Sequence, residues 1–282
     1  MEIRFTKMHG IGNDYIYVNC MENELENPSD IAVKMSPRHF SVGSDGLIMI
    51  CRSTVADAKM RMFNADGSEG KMCGNGIRCV GKYLYDYGIT DKTEISVETL
   101  GGIKHLSLNV KNGRVESVKV DMGCAVIKPE LIPMSVQGES FISQPVEVNG
   151  RIWNMTGVSM GNPHAVIFTE GISSLDLEKE GGYFENHPLF PERVNTEFVE
   201  VVSRNELNMR VWERGSGETY ACGTGACATV TAAVLNGICD YDTPVRVNLI
   251  GGQLSVICTK DLRVYMTGTA TKVYEGVYEY AD

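Results

Sequence analysis

No run of about 18 consecutive apolar residues occurs in this chain, and the opening MEIRFTKMHGIGNDY holds no apolar stretch of signal-peptide length. The expectation is a cytoplasmic protein with no membrane partner. Positive charge is scarce as well: 26 Lys and Arg stand against 36 Asp and Glu, for a net charge of −10, and no basic run appears. Nucleic acid and anionic membrane surfaces both call for clustered cations, so a small-molecule substrate is the more natural partner. A disulfide framework is also missing. The nine cysteines, at 20, 51, 73, 79, 124, 222, 227, 239 and 258, are odd in number and scattered over 282 residues. Most should be reduced, buried, small hydrophobes. No low-complexity linker divides the chain, and its 43% hydrophobic and 22% charged content is that of an ordinary globular protein.

What is present is a repeat. At an offset of 149 residues, Met60-Arg61 returns as Met209-Arg210, Glu69 as Glu218, and Cys73, Gly74 and Gly76 as Cys222, Gly223 and Gly225. The same register, without a gap, relates Gly12-Asn13 to Gly161-Asn162, Gly88 to Gly237 and Gly102 to Gly251. This is a domain duplication rather than a short motif. Two copies of one unit commonly pack about a pseudo-twofold axis, which lets equivalent residues face each other. Here those residues would be cysteines. A thiol on each side of one molecule suits the removal of a proton from one face of a carbon and its return to the other.

The periodicity predicts the elements. In the first half, strands are expected over 3–8, 15–19, 47–51, 58–63, 94–98, 104–110 and 115–122. A first helix is expected to be capped by Ser29 and to end before Pro37, and a central helix to span 77–87 with Gly88 as its stop. Asn112-Gly113 marks a tight hairpin. The second half repeats the order, with strands near 153–158, 165–169, 197–202 and 207–212, an acidic helix from Ser174, and an Ala/Thr/Val helix over 226–235 closed by Asn236-Gly237. Many short strands around one long helix per half read as α+β, with each sheet curled around its helix. Residues 1–122 with the tail 268–282 would form one half, and 123–267 the other.

Each Cys-Gly-x-Gly sits directly before a predicted helix. Unsatisfied N–H groups there carry partial positive charge, which is expected to lower a thiol from its ordinary pKa of roughly 8.5, and the same groups can bind a carboxylate. Developing charge on that carboxylate would be stabilised too. Cysteines before helices more often serve packing, and that reading is kept for Cys79, Cys227 and the rest. For Cys73 and Cys222, the matched register argues for chemistry. Two nucleotide look-alikes fail: GIRCVGK at 76–82 lies inside the predicted helix, with Tyr83 in place of the required Ser/Thr, and GTGACA at 223–228 follows no buried parallel strand. No His stands at metal-ligand spacing from the cysteine pairs, so no metal is expected.

The segments KMHGIGNDY at 7–15, FNADGSEGKMCGNGIRC at 63–79, GNPHAV at 161–166 and ERGSGETYACGTGACA at 213–228 resemble diaminopimelate epimerase, in order and over nearly the whole chain. The resemblance implies two similar domains, each a strongly curved, mostly antiparallel sheet wrapped around a central helix. It implies a cofactor-free conversion of LL-2,6-diaminopimelate to the meso form, in lysine and cell-wall precursor synthesis. The monomer holds both domains, and association into a homodimer is left open. Carried over residue by residue, Cys73 and Cys222 are the acid/base pair. Asn13, Asn64, Asn162, Asn195, Glu213 and Arg214 contact substrate, together with the helix-start groups of Gly74, Asn75, Gly223 and Thr224. His164 and Glu213 resemble the pair that flanks the thiols and could tune them. Some members carry Gln at the position of Gly46, so the substrate's distal end would here be met by backbone, water or nothing. A proline or hydroxyproline racemase shares the architecture but usually shows His where Asn75 stands. A ligand-binding module or thiol redox sensor would not need two matched thiols, although two apposed thiols could still oxidise to an inhibitory disulfide.

Overall fold

A computed structural model describes residues 1–280 and divides the chain into two compact units, Met1–Val120 with Thr267 onward, and Asp121–Met266. The first contains β1 (Glu2–Gly10), β2 (Asn13–Cys20), α1 (Pro28–Met35), β3 (Gly46–Cys51), β4 (Ala58–Asn64), β5 (Glu69–Gly70), α2 (Gly74–Asp86), β6 (Glu94–Thr99) and β7 (Gly102–Lys111). Strand β8 (Arg114–Cys124) leads out of it. The second contains β9 (Gln144–Val148), β10 (Arg151–Ser159), β11 (Pro163–Phe168), α3 (Leu177–Glu185), β12 (Asn195–Ser203), β13 (Glu206–Glu213), β14 (Gly217–Glu218), α4 (Gly223–Leu235), β15 (Val245–Leu249) and β16 (Gly252–Cys258). Strand β17 (Arg263–Thr269) leads back, and β18 (Thr271–Glu279) pairs antiparallel with β1 along nearly its whole length.

Each unit is an α+β layer of mostly antiparallel strands. The parallel exceptions occupy equivalent places: β2 on β3 and β4 on β6 in the first unit, β11 on β12 and β13 on β15 in the second. The central helices differ in how they are buried. Helix α4 reads ACATVTAAV without a charge and is buried all round, touching β10, β11, β12, β15 and β16. Helix α2 touches β1, β2 and β7 and buries Arg78 completely, because its guanidinium donates to Gly74 O at 3.0 Å and Thr269 O at 3.2 Å. Small residues at the start of each helix let the sheet close over it. A methyl group on Gly76 would fall 2.6 Å from Ile48 Cδ1, and one on Gly225 2.7 Å from Glu197 Oε1.

The hairpin at Asn112-Gly113 has φ of 52° and 73°, the pair of positive values that a tight primed turn needs. The central helices α2 and α4 begin at Gly74 and Gly223, three residues before the expected 77 and 226, and the starts of α1 and α3 differ from expectation in their caps. Helix α1 begins at Pro28 behind Asn27, which is left-handed and makes no side-chain cap, while Ser29 Oγ donates to Gly67 O at 2.7 Å. Proline at the first helical position, with its preset φ, starts the helix before the serine can cap it. Helix α3 begins at Leu177 rather than near Ser174, since Ser174 ends a separate 3₁₀ turn and Asp176 supplies the cap. No helix among the described residues is long and apolar enough to cross a membrane.

Candidate active site

Cys73 and Cys222 are the N-caps of α2 and α4. Both have extended backbone, and each sulfur accepts a hydrogen bond at 3.3 Å from the amide three residues on, Gly76 N–H or Gly225 N–H. The thiols therefore fill the role that a Ser, Thr, Asn or Asp oxygen usually fills, and the two glycines allow the approach. Cys73 is partly exposed and Cys222 is buried.

Around Cys73 the partners are amides. Its S–H donates to Asn13 Oδ1 at 3.2 Å, and Asn75 Nδ2 donates to the same oxygen at 3.3 Å. Asn13 Nδ2 in turn donates to Asp45 Oδ2 at 2.7 Å, an oxygen that also takes the Asp14 N–H at 3.0 Å. Tyr15 packs beside the sulfur, and burial, together with the nearby Cys73 and Asp45, pushes its phenol well above its ordinary range. Asn64 is held by its own turn, donating to Ser68 Oγ at 2.9 Å. Gly46 has φ of 155°, and an added Cβ would fall 2.0 Å from Phe63 O, so this backbone admits no side chain.

Around Cys222 the partners are ionisable. Glu213 lies near enough to Cys222 for each to influence the other's protonation, and its Oε1 accepts the Thr219 hydroxyl at 2.5 Å. Thr224 Oγ1 lies 3.5 Å from the sulfur and accepts Asn162 Nδ2 at 3.3 Å. His164 is fully buried between Asn162 Oδ1, 3.1 Å from Nε2, and Glu197 Oε1, 2.7 Å from Nδ1. Asn195 is buried, donating to Pro163 O at 2.9 Å and accepting the Arg214 N–H at 2.9 Å. The Arg214 side chain donates to Glu192 O at 2.8 Å and leaves part of its fork at the surface.

These surroundings correct one expectation. The Cys222 thiol is pushed well up, not down, by burial first and then by the charges of Glu213 and Glu197; the Thr224 and Gly225 hydrogen bonds oppose this without overcoming it. The partial charge of a helix terminus is small beside desolvation in a closed core. Burial likewise raises Glu213. The structure thus brings Asn13, Asn75 and Cys73 together in one unit, and Asn162, His164, Glu213, Thr224 and Cys222 in the other. Three residues that sequence reasoning passed over belong to these clusters: Tyr15, Asp45 and Glu197. Of these, Glu197 left a signal, as an acid at a position where the matching strand of the first half has Ile48. Among the described residues, no group of three or more His, Cys, Asp or Glu side chains is placed to hold a metal ion.

Comparison with known proteins places this geometry in context. The sequence profile of diaminopimelate epimerase matches residues 5–128 and 156–273. The chain is 57% identical over 275 residues to the diaminopimelate epimerase of Acetivibrio thermocellus, covering 97% of this chain and 98% of that one. It is 52% identical over 275 residues to that of Methanococcus maripaludis strain S2, covering 97% and 99%. Among solved structures, a phenazine biosynthesis protein of the PhzF family from Bacillus anthracis superposes with a TM-score of 0.73 at 18% identity, over 99% of this chain and 100% of that one. A hydroxyproline epimerase from Agrobacterium vitis gives 0.72 at 14% identity, over 98% and 92%. At such identities the structural likeness speaks for the fold alone.

Proposed function

Because this chain belongs to the diaminopimelate epimerase family, we propose that it converts LL-2,6-diaminopimelate to the meso isomer, as a step of lysine synthesis, by proton transfer between two cysteines and without a cofactor. Cys73 and Cys222 serve opposite faces of one α-carbon. One sulfur, as thiolate, takes the α-proton. The electron pair left on carbon spreads into the adjacent carboxylate, and the other thiol delivers its proton to the opposite face. Configuration is inverted, and the two sulfurs have exchanged protonation states. The reverse reaction uses the same groups with roles swapped.

The observation that carries this reading is the matched placement of the two thiols as N-caps of equivalent helices. Burial, Glu213 and Glu197 keep Cys222 protonated at rest, which makes it the proton donor, and Cys73 the base, of the first half-turnover. Amides at the helix starts, on Gly74, Asn75, Gly223 and Thr224, can hold the carboxylate next to the reacting carbon and take up its growing charge. Asn13, Asn64, Asn162 and Asn195 offer both donors and acceptors for the ammonium and carboxylate groups. Glu213 offers an anion to the amine, and Arg214 a forked cation to a carboxylate.

The test is incubation with LL-diaminopimelate in deuterated water without pyridoxal phosphate. One α-carbon is expected to gain deuterium as the meso isomer forms. Cys73→Ala and Cys222→Ala should each lose inversion by at least about 10²-fold while still folding cooperatively, with stability lowered by about the 0.5–2 kcal/mol of a lost helix cap. A single mutant with near wild-type turnover removes the two-base reading, and absence of meso product in the wild type removes the substrate assignment.

A further inference from the structure

Around their thiols the two halves differ in charge. At the 149-residue offset Tyr15 corresponds to His164, Ile48 to Glu197 and Asn64 to Glu213. Ile48 and Glu197 fill the same place, each lying against the glycine whose amide caps the sulfur, Gly76 or Gly225. A hydrocarbon contact in the first unit is therefore a carboxylate in the second. Glu197 is fully buried on β12, and its Oε2 has no hydrogen-bond partner. A carboxylate is costly there unless a cation compensates it.

The hydrogen bonds leading away from it have one consistent direction. Asn162 Oδ1 can only accept, so His164 Nε2 must carry a proton to donate across 3.1 Å. Asn162 Nδ2 donates to Thr224 Oγ1 at 3.3 Å, which leaves the Thr224 hydroxyl proton the Cys222 sulfur, 3.5 Å away, as its acceptor. One proton remains to be placed on the 2.7 Å line between His164 Nδ1 and Glu197 Oε1. On Nδ1 it sets a cation against the buried carboxylate, which offsets the cost of burying that charge.

We propose that Glu197 is a positioning residue for proton transfer at Cys222: as a carboxylate it holds His164 as an imidazolium, and the imidazolium orients Asn162 and Thr224 so that a hydroxyl donates to the sulfur. This rests on the reading of Cys222 as one of two acid/base thiols. When Cys222 has delivered its proton, the thiolate left behind is met by two donors, Thr224 O–H and Gly225 N–H. Those bonds make the thiolate attainable in a buried site that otherwise disfavours it.

The experiment is ¹⁵N NMR of histidine-labelled protein at about pH 8, above the ordinary imidazole range, with the His164 signals identified by their loss in His164→Asn. Both ring nitrogens of His164 are expected to be protonated in the wild-type protein, and only one in Glu197→Gln. A neutral His164 ring in the folded wild type overturns the proposal, as does an imidazolium that survives in E197Q. The wild-type spectrum decides even if the variant does not fold, and it is independent of whether diaminopimelate is the substrate. In turnover, E197Q should lower kcat by about tenfold or more with little change in KM, because Glu197 lies behind the thiol rather than against substrate. An unchanged kcat also overturns it.

Discussion

Arg210 and Glu218 form a two-pronged ion pair, Nε to Oε1 at 2.7 Å and Nη2 to Oε2 at 2.8 Å, across β13 and β14 immediately before the Cys222 loop. Arg210 Nη1 also donates to the carbonyls of Ile172 and Leu175, at 2.6 and 2.8 Å. The first unit repeats the pair as Arg61 and Glu69, at 2.9 and 3.3 Å, without the carbonyl contacts and with more exposure. Arg210→Met strands a partly buried carboxylate and two carbonyls, so it should cost about 2–4 kcal/mol. Arg61→Met should cost about 1 kcal/mol or less. Urea unfolding of the two variants compares them directly, and equal losses would remove the argument from burial.

Gly46 should not tolerate a side chain. With a Cβ only 2.0 Å from Phe63 O, Gly46→Ala must move backbone that carries Asp45 and, through it, Asn13. The expected result is destabilisation of roughly 2–4 kcal/mol together with lost turnover. A G46A protein that melts like wild type would mean that this stretch of β3 and β4 is freer than its packing implies.

Stability should fall in alkali. Cys79 is wholly buried in α2, and burial pushes its thiol up to about 11. The folded state therefore keeps this proton after the unfolded chain has released it. The contribution is complete below about pH 9 and is lost as pH rises from about 9 through about 11. Cys239, also raised to about 11, shares the window. Cys79→Ala should flatten the decline measured by urea unfolding at about pH 8.5 and 10.5. Parallel declines in wild type and variant would exclude Cys79 as a source.

Arg214 is anchored by its backbone N–H to Asn195 and by one side-chain nitrogen to Glu192 O. Arg214→Met should raise KM for diaminopimelate by about 10- to 100-fold and shift unfolding by less than about 1 kcal/mol. Steady-state kinetics beside a thermal melt separates the two effects. Unchanged kinetics would leave Arg214 a surface charge.

The strongest signals in the sequence were those with a local physical cause. Asn112-Gly113 fixes a turn by its own φ values, and Gly88 and Gly237, at φ of 69° and 70°, end α2 and α4 as glycines beyond a helix do. The repeat located both thiols because it compares the chain with itself. What escaped depended on tertiary burial. Along β12 all five residues from Asn195 to Val199 are buried, so the alternation that would turn Glu197 outward does not hold. The two-residue strands β5 and β14 are too short for any period to show. The helix termini suggested lowered thiols, but the packing around Cys222 shows that carboxylates and desolvation outweigh the Gly225 N–H there.

The second unit is inserted into the first, whose β1 lies against β18 with Glu2 opposite Glu279. During synthesis, residues 121–266, with the pairings of β9 to β13 among themselves, are complete before the last strand of the first unit has been made. The inserted half can therefore fold while β1 still has one edge unpaired, and closure of that edge waits for almost the entire chain. The pairing with the longest sequence separation is thus a late event. Mutations in β18 should accordingly slow completion of the first unit and prolong exposure of the β1 edge, leaving the folding of the second unit, which carries Cys222, largely untouched.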